Sequence, residues 1–191
     1  MAGAAIRDRG GEKRERIVAA ARELFLRQGL RATTMEAIAR EAGIAKPTLY
    51  AQFSDKHAVF GAILEQLVTA KVAAFEAGIA GEGAVAERAG RALSDMYRVL
   101  AAAVDGSAHA DELFQAHKQA AGLFAEADAQ IYRRLASELA TAGVANPEQL
   151  TRLLLDASYG LASRTIGRES RDTDIRLLAE RIIEPSLDRR P

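Results

Sequence analysis

The chain has 191 residues, equal numbers of acidic and basic side chains, and neither cysteine nor tryptophan. Without cysteine there is no disulfide, no thiolate nucleophile and no Cys-ligated zinc. Hydrophobic residues make up 49% of the chain but aromatics only 5%, so the apolar material is largely Ala and Leu, which favour helix over strand.

That length admits one sizeable core, or two small ones sharing a connecting helix. The zero net charge conceals an asymmetry. Residues 1–60 carry 11 Lys/Arg against 7 Asp/Glu, and the remainder carries the compensating acidic excess. A basic N-terminal third on an acidic body suits a protein that meets a polyanion at one end. The opening Met-Ala-Gly-Ala-Ala-Ile lacks the leading basic residues of a signal peptide. No uninterrupted apolar run reaches the ~18 residues of a membrane span, which points to the cytoplasm.

In chain order, residues 1–11 read as a disordered arm ending in Gly10-Gly11. Ile17, Ala20, Ala21, Leu24 and Phe25 then recur at helical spacing, and Gly29 is a natural stop. Thr33-Thr34-Met35-Glu36 has capping-box spacing, with Thr33 as N-cap and Glu36 reaching back. A short helix with Ile38, Ala39 and Ala42 inside follows, broken by Gly43; Lys46-Pro47-Thr48 opens a third, with Leu49 and Phe53 inward. Ser54-Asp55 begins a long fourth helix to about Ala80. Further helices are expected over 84–104, 109–119 and 122–143, then from Asn146-Pro147, and over 172–184 before Pro185. The expected fold is all-α with about nine helices. A three-helix N-terminal domain (12–56) is joined by the fourth helix to a C-terminal bundle (57–191).

Residues 34–53 carry the functional signal. Two short helices meet across a turn at Gly43, with small Ala39 letting them approach and Ile38, Ile44, Leu49 and Phe53 buried between them. This is the outline of a helix-turn-helix, whose second helix enters the DNA major groove. Lys46 suits a phosphate, while Thr48, Tyr50 and Gln52 offer hydroxyls and an amide to phosphate or base edges. Tyr50, between Leu49 and Phe53, is expected to be partly buried. The amides opening the second and third helices, with Thr33 and Thr34, are candidate phosphate seats, and Lys56 a grip on the flanking backbone.

The string from Thr33 to Lys56, with Leu24-Phe25 and Gly29 before it, closely resembles the DNA-binding domain of the TetR family of bacterial regulators. The resemblance covers roughly residues 12–70. It implies a dimer in which helices one to three bind double-stranded DNA, helix four links the domains, and the rest form a ligand pocket and a dimer interface. The family's DNA-contacting positions map onto Thr33, Thr34, Lys46, Pro47, Thr48, Tyr50, Gln52 and Lys56. Ala45 departs from the family's frequent Ser and gives up a capping hydroxyl. Ala51 turns a methyl outward, where a thymine methyl could meet it.

The second half is less specific. Met96, Tyr97, Phe114, His117, Phe124, Tyr132 and Tyr159, with His109, are candidates to line a pocket between helices, or are ordinary core and surface. His109 and His117 share a face but lack a third metal ligand, so no metal or cofactor is expected. Leu150, Leu154, Ala157, Gly160 and Leu161, with Ile175, Leu178 and Ile182, form either a dimer interface or an intrachain helix pair. A reader of near-palindromic DNA needs a dimer, which favours the interface. There is no P-loop, G-x-S-x-G or H-E-x-x-H, and Gly81-Glu-Gly83-Ala-Val-Ala86 follows a helix rather than a strand. The expected function is a homodimeric repressor released by a small organic ligand. The alternatives are a regulator or activator without such a switch and, more remotely, a helical enzyme or scaffold.

Overall fold

A computed structural model describes the backbone of residues 2–110, 112–113, 121–163 and 168–187, with side chains from Gly11 onward except at Ala121, Arg168 and Glu169. The regular elements of the described residues are helices: α1 (Ala2–Ala32), α2 (Met35–Glu41), α3 (Lys46–Tyr50), α4 (Lys56–Ile79), α5 (Val85–Ala102), α6 (Ala121–Thr141), α7 (Pro147–Ala162) and α8 (Arg168–Ile183), then a 3-10 turn, Glu184–Ser186. Extended pairing among them is confined to an isolated bridge between Val144 and Leu187.

Helical spacing located these elements closely, with two differences. The backbone is helical from Ala2, where an arm was expected. Alanine is the best helix former, and a glycine costs about 1 kcal/mol without ending a helix bonded on both sides. The final helix begins at Arg168 rather than 172. Most of the helix expected over 109–119 lies outside the described residues.

Residues cluster into two compact units, Met1–Gln66 with Val104–Ala121, and Leu67–Ala103 with Gly122–Pro191. The boundary therefore falls inside α4 rather than at Lys56, and the first unit is discontinuous in sequence.

In the first unit Ile17, Ala21, Leu24 and Phe25 of α1 are buried, as are Ile38, Leu49, Val59 and Phe60. Phe25 and Phe60 stack edge to face, their centroids 5.8 Å apart. Asp55 starts α4: its Oδ1 accepts from the amides of His57 (2.8 Å) and Ala58 (2.9 Å). The Ala58 amide above all holds the Asp55 carboxyl below its ordinary range, against a smaller upward push from burial.

The second unit packs Phe75, Ile79, Leu93, Met96, Ile131, Leu135, Leu139, Leu154, Ile175 and Ile183 into one core. Small residues set its close approaches. A Cβ on Gly78 of α4 would lie 2.5 Å from Cα of Ala92 on α5, and one on Gly90 of α5 would lie 3.1 Å from Cα of Arg176 on α8. Ser94 Oγ adds a polar tie: its one proton is donated to the Gly90 carbonyl at 2.7 Å, with the Asp172 carbonyl 3.2 Å away as the competing acceptor. Glu138 of α6 accepts from Arg88 of α5 (2.8 Å) and from Arg134, which also reaches Glu76 of α4 (3.3 Å). Burial pushes the Glu138 carboxyl up, but its two arginines outweigh that and hold it low.

By length and composition α4 is apolar enough to cross a membrane, as buried core helices also are. Its charges have protein partners: Glu65 pairs with Arg14, Lys71 with Asp128 and Glu76 with Arg134.

Candidate nucleic-acid interface

The turn between α2 and α3 is built on Gly43, whose φ of 63° lies in the left-handed region. Gly43 N–H donates to Arg40 C=O (3.1 Å) and Ile44 N–H to Ala39 C=O (3.0 Å), satisfying the end of α2. Arg16 of α1 reaches across to the Ala42 carbonyl at 2.6 Å. Arg14 lies over the Phe53 ring, 4.5 Å from its centroid. These two arginines brace the helix-turn-helix from α1. No local pattern announces them, because their partners are tens of residues away.

Leu49 and Phe53 point into the unit, leaving Lys46, Pro47, Tyr50, Ala51 and Gln52 exposed and Thr48 half-buried. Tyr50 is 49% exposed, more than its neighbours suggested. Its ring is free to lie along a polyanion. Ala45 is the N-cap of α3 and supplies no side-chain bond. Lys46 Nζ is 3.2 Å from Glu36 Oε1. The Glu36 backbone amide and then Lys46 hold that carboxyl below its ordinary range. Glu36 thus faces Lys46 rather than closing the expected capping box.

Thr33 and Lys56, two of the predicted contacts, are engaged by their own chain. Thr34, not Thr33, caps α2, its Oγ1 accepting from Ala37 N–H at 3.2 Å. Thr33 is buried, and its hydroxyl donates to Gly29 C=O at 2.7 Å while accepting from Gln28 Nε2 at 3.2 Å. Lys56 Nζ donates to the carbonyls of Leu30 (2.9 Å), Arg31 (2.9 Å) and Thr33 (3.0 Å). Its ammonium therefore closes the end of α1, where a cation meets unsatisfied carbonyls. Both residues hold the path from α1 into α2.

A strap from the Val104–Ala121 segment reinforces that path. Ser107 Oγ donates to Leu26 C=O at 2.8 Å, and Glu112 Oε1 accepts from Arg31 N–H at 2.7 Å. Gly29, with φ 82°, breaks α1 beneath it; a Cβ there would lie 2.4 Å from Glu112 Oε2 and 3.0 Å from His109 Nδ1. His109 thus falls in the first unit.

Of the predicted pocket residues, Met96, Tyr97 and Phe124 are buried in the second unit. Tyr132 is half-buried and donates to Glu148 C=O at 3.4 Å; Tyr159 is 55% exposed. Phe114 and His117 lie outside the described residues. An open groove of about 740 Å³ in the first unit is lined by residues including Glu15, Arg16, Arg22, Glu23 and Glu41. Two predicted interface residues, Leu154 and Ile175, are fully buried in their own core. Leu150, Leu161, Leu178 and Ile182 pack half-buried against that core, Ala157 is half-buried and Gly160 exposed. The outward apolar residues there are Leu153, Tyr159 and Leu177.

Residues 17–63 match the domain of the bacterial regulatory proteins of the tetR family. The HTH-type transcriptional activator FasR of Mycolicibacterium smegmatis is 40% identical over 57 residues, 30% of this chain and 26% of that protein. The match thus spans about a quarter of that curated relative's length. A TetR/AcrR-family transcriptional regulator from Thermobifida fusca is 27% identical with a TM-score of 0.67, over 94% of this chain and 100% of that one. The fatty acid degradation regulator FadR from Bacillus halodurans is similar in fold, with a TM-score of 0.66 at 14% identity, over 87% and 94% of the two chains.

Proposed function

Starting from a chain that belongs to the TetR family through its N-terminal helix-turn-helix domain, we propose that it is a homodimeric, ligand-responsive repressor acting in the cytoplasm. The observation that carries the reading is the exposed Lys46–Gln52 surface, held on a buried Leu49–Phe53 edge and braced from α1. Two copies of α3, one per subunit, enter successive major grooves of a near-palindromic operator. Lys46 and Tyr50 contact phosphate, Thr34 seats the backbone beside α2, and Thr48 and Gln52 reach base edges. Thr33 and Lys56 act by positioning.

Subunits meet through α7 and α8, where Leu153, Ala157 and Gly160 share a face and Leu177 stands exposed on the neighbouring helix. A small organic effector binds the second unit near Tyr97 and Phe124 and favours the form that cannot hold DNA. Linkage then requires DNA to weaken effector binding by the same factor. A second reading, with the same DNA contacts but the opposite sign, draws on the activator among the relatives. A reporter carrying the operator upstream of, or across, a promoter separates the two.

The test is an anisotropy titration against DNA upstream of the protein's own gene, with nonspecific competitor, at several salt concentrations. Saturable binding of two chains per site supports the proposal. Binding that competitor abolishes at every candidate promoter overturns it.

A further inference from the structure

One charged group lies in the interior of the second unit, away from the nucleic-acid interface. Lys71 lies on α4 in the second unit and is only 6% exposed. Its sole acceptor among the described residues is Asp128 of α6, whose side chain remains 59% exposed. The Lys71 ammonium sits 5.7 Å from the centroid of the Phe124 ring. The pair is lopsided: the cation is fixed inside and the carboxylate approaches from solvent. Burying an ammonium costs several kcal/mol, and a Leu or Met of similar volume would serve a core as well or better. One carboxylate leaves N–H groups of the ammonium unassigned.

Two hydroxyls of the second unit are also unspent, one of them within the field of Asp128. The Tyr97 hydroxyl has no hydrogen-bond partner among the described residues. Burial foremost, then the charge of Asp128 and the fields of Tyr159 and Asp156, push it well above its ordinary range, so it remains an O–H donor. Ser158, between Asp156 and Tyr159 on α7, is fully buried with its hydroxyl unpartnered. A neutral apolar ligand would satisfy none of these donors.

We propose that Lys71 is the charge-reading residue of the effector site, and that the effector is an organic carboxylate on an apolar body, which displaces Asp128 from the Lys71 ammonium. Phe124 packs on the apolar body, and the Tyr97 hydroxyl donates to the second carboxylate oxygen. Asp128 is the resident competitor. The proposal rests on the effector-responsive reading above.

The experiment is calorimetric titration of the full chain with 4-phenylbutanoate and dodecanoate, against the matched alcohols and amines, below micelle-forming concentrations. The carboxylates should bind at least roughly tenfold tighter than the alcohols, the scale of one charge-assisted hydrogen bond. Lys71→Met should erase that preference. It leaves Asp128 hydrated at the surface, so the variant should fold, as circular dichroism will verify. Asp128→Asn should tighten carboxylate binding by removing the competitor, an effect that a merely structural ion pair would not produce. Equal binding of alcohol and acid, a preference for amines, a preference surviving Lys71→Met, or no binding of any probe overturns the assignment. Repeating the titrations with operator DNA separates the two readings. Carboxylate binding that leaves DNA affinity unchanged keeps the anion site and defeats the switch. Release of DNA by the alcohols or amines alone keeps the switch and defeats the anion site.

Discussion

Replacing Lys56 with Met separates positioning from phosphate binding. Met keeps the apolar stem and removes the ammonium that donates to the Leu30, Arg31 and Thr33 carbonyls. A hydrogen bond to a charged group contributes about 1.5–3 kcal/mol. Three such bonds from one ammonium are not additive, and the Arg31 carbonyl is exposed and regains water. The expected loss is therefore about 2–3 kcal/mol, which lowers the melting temperature by about 5–10 °C in a chain of this size. DNA affinity should fall as the α1–α2 path loosens, yet the dependence on salt should keep its slope, because no phosphate contact has gone. Lys46→Ala, in contrast, should flatten that slope by about 0.9 for each phosphate lost, with little change in melting. Thermal denaturation and a salt series of anisotropy titrations read both quantities. A Lys56→Met variant with wild-type melting and a slope flattened like that of Lys46→Ala would show the ammonium meeting DNA, and the positioning argument would fail.

Other outcomes follow from the same geometry. Glu36→Gln frees Lys46 from a carboxylate 3.2 Å away, so operator affinity should rise several-fold at low salt and its salt dependence should steepen; unchanged binding would remove Glu36 from the field at the interface. Glu138 titrates below its ordinary 4.5 in the folded chain, so its contribution is present above that value and fades as pH falls through the depressed folded value. Glu138→Gln should cost about 2 kcal/mol at neutral pH, discounted for the 17% of its side chain still in water, and should flatten the acid limb of a stability–pH curve. Gly78→Ala gains about 1 kcal/mol of helix propensity but drives a Cβ to within 2.5 Å of the Ala92 backbone, which cannot rotate away. Overpacking costs about 1–3 kcal/mol, so the denaturation midpoint should fall.

The helices and the turn at Gly43 were legible because apolar spacing and glycine position are local signals. Their side-chain partnerships were less so. Thr33 and Thr34 are chemically equivalent neighbours, and the choice of cap depends on the backbone bend at Gly29, which turns one hydroxyl inward. Lys56 looks like a phosphate ligand until the carbonyls at the end of α1 come within its reach. Periodicity assigned Leu154 and Ile175 to an apolar stripe correctly but could not say what the stripe faces. Both are consumed by their own core, and it is Leu153 and Leu177 that point outward. Lys71 gave no sign at all, since a lysine in an apolar helix reads as surface until its burial is known.

The strap over Gly29 carries a consequence for synthesis. Arg31 N–H and Glu112 are 81 positions apart, as are Ser107 and the Leu26 carbonyl. The helix-turn-helix leaves the ribosome early, but the end of α1 keeps an unpaired amide and an unpinned bend until the strap emerges after α5. Contacts of such separation are the late and slow ones in folding. The nascent DNA-binding unit therefore waits on part of the chain that follows it. A fragment cut at Gln66 would keep every residue proposed to face DNA, yet it would present them on a loosened frame.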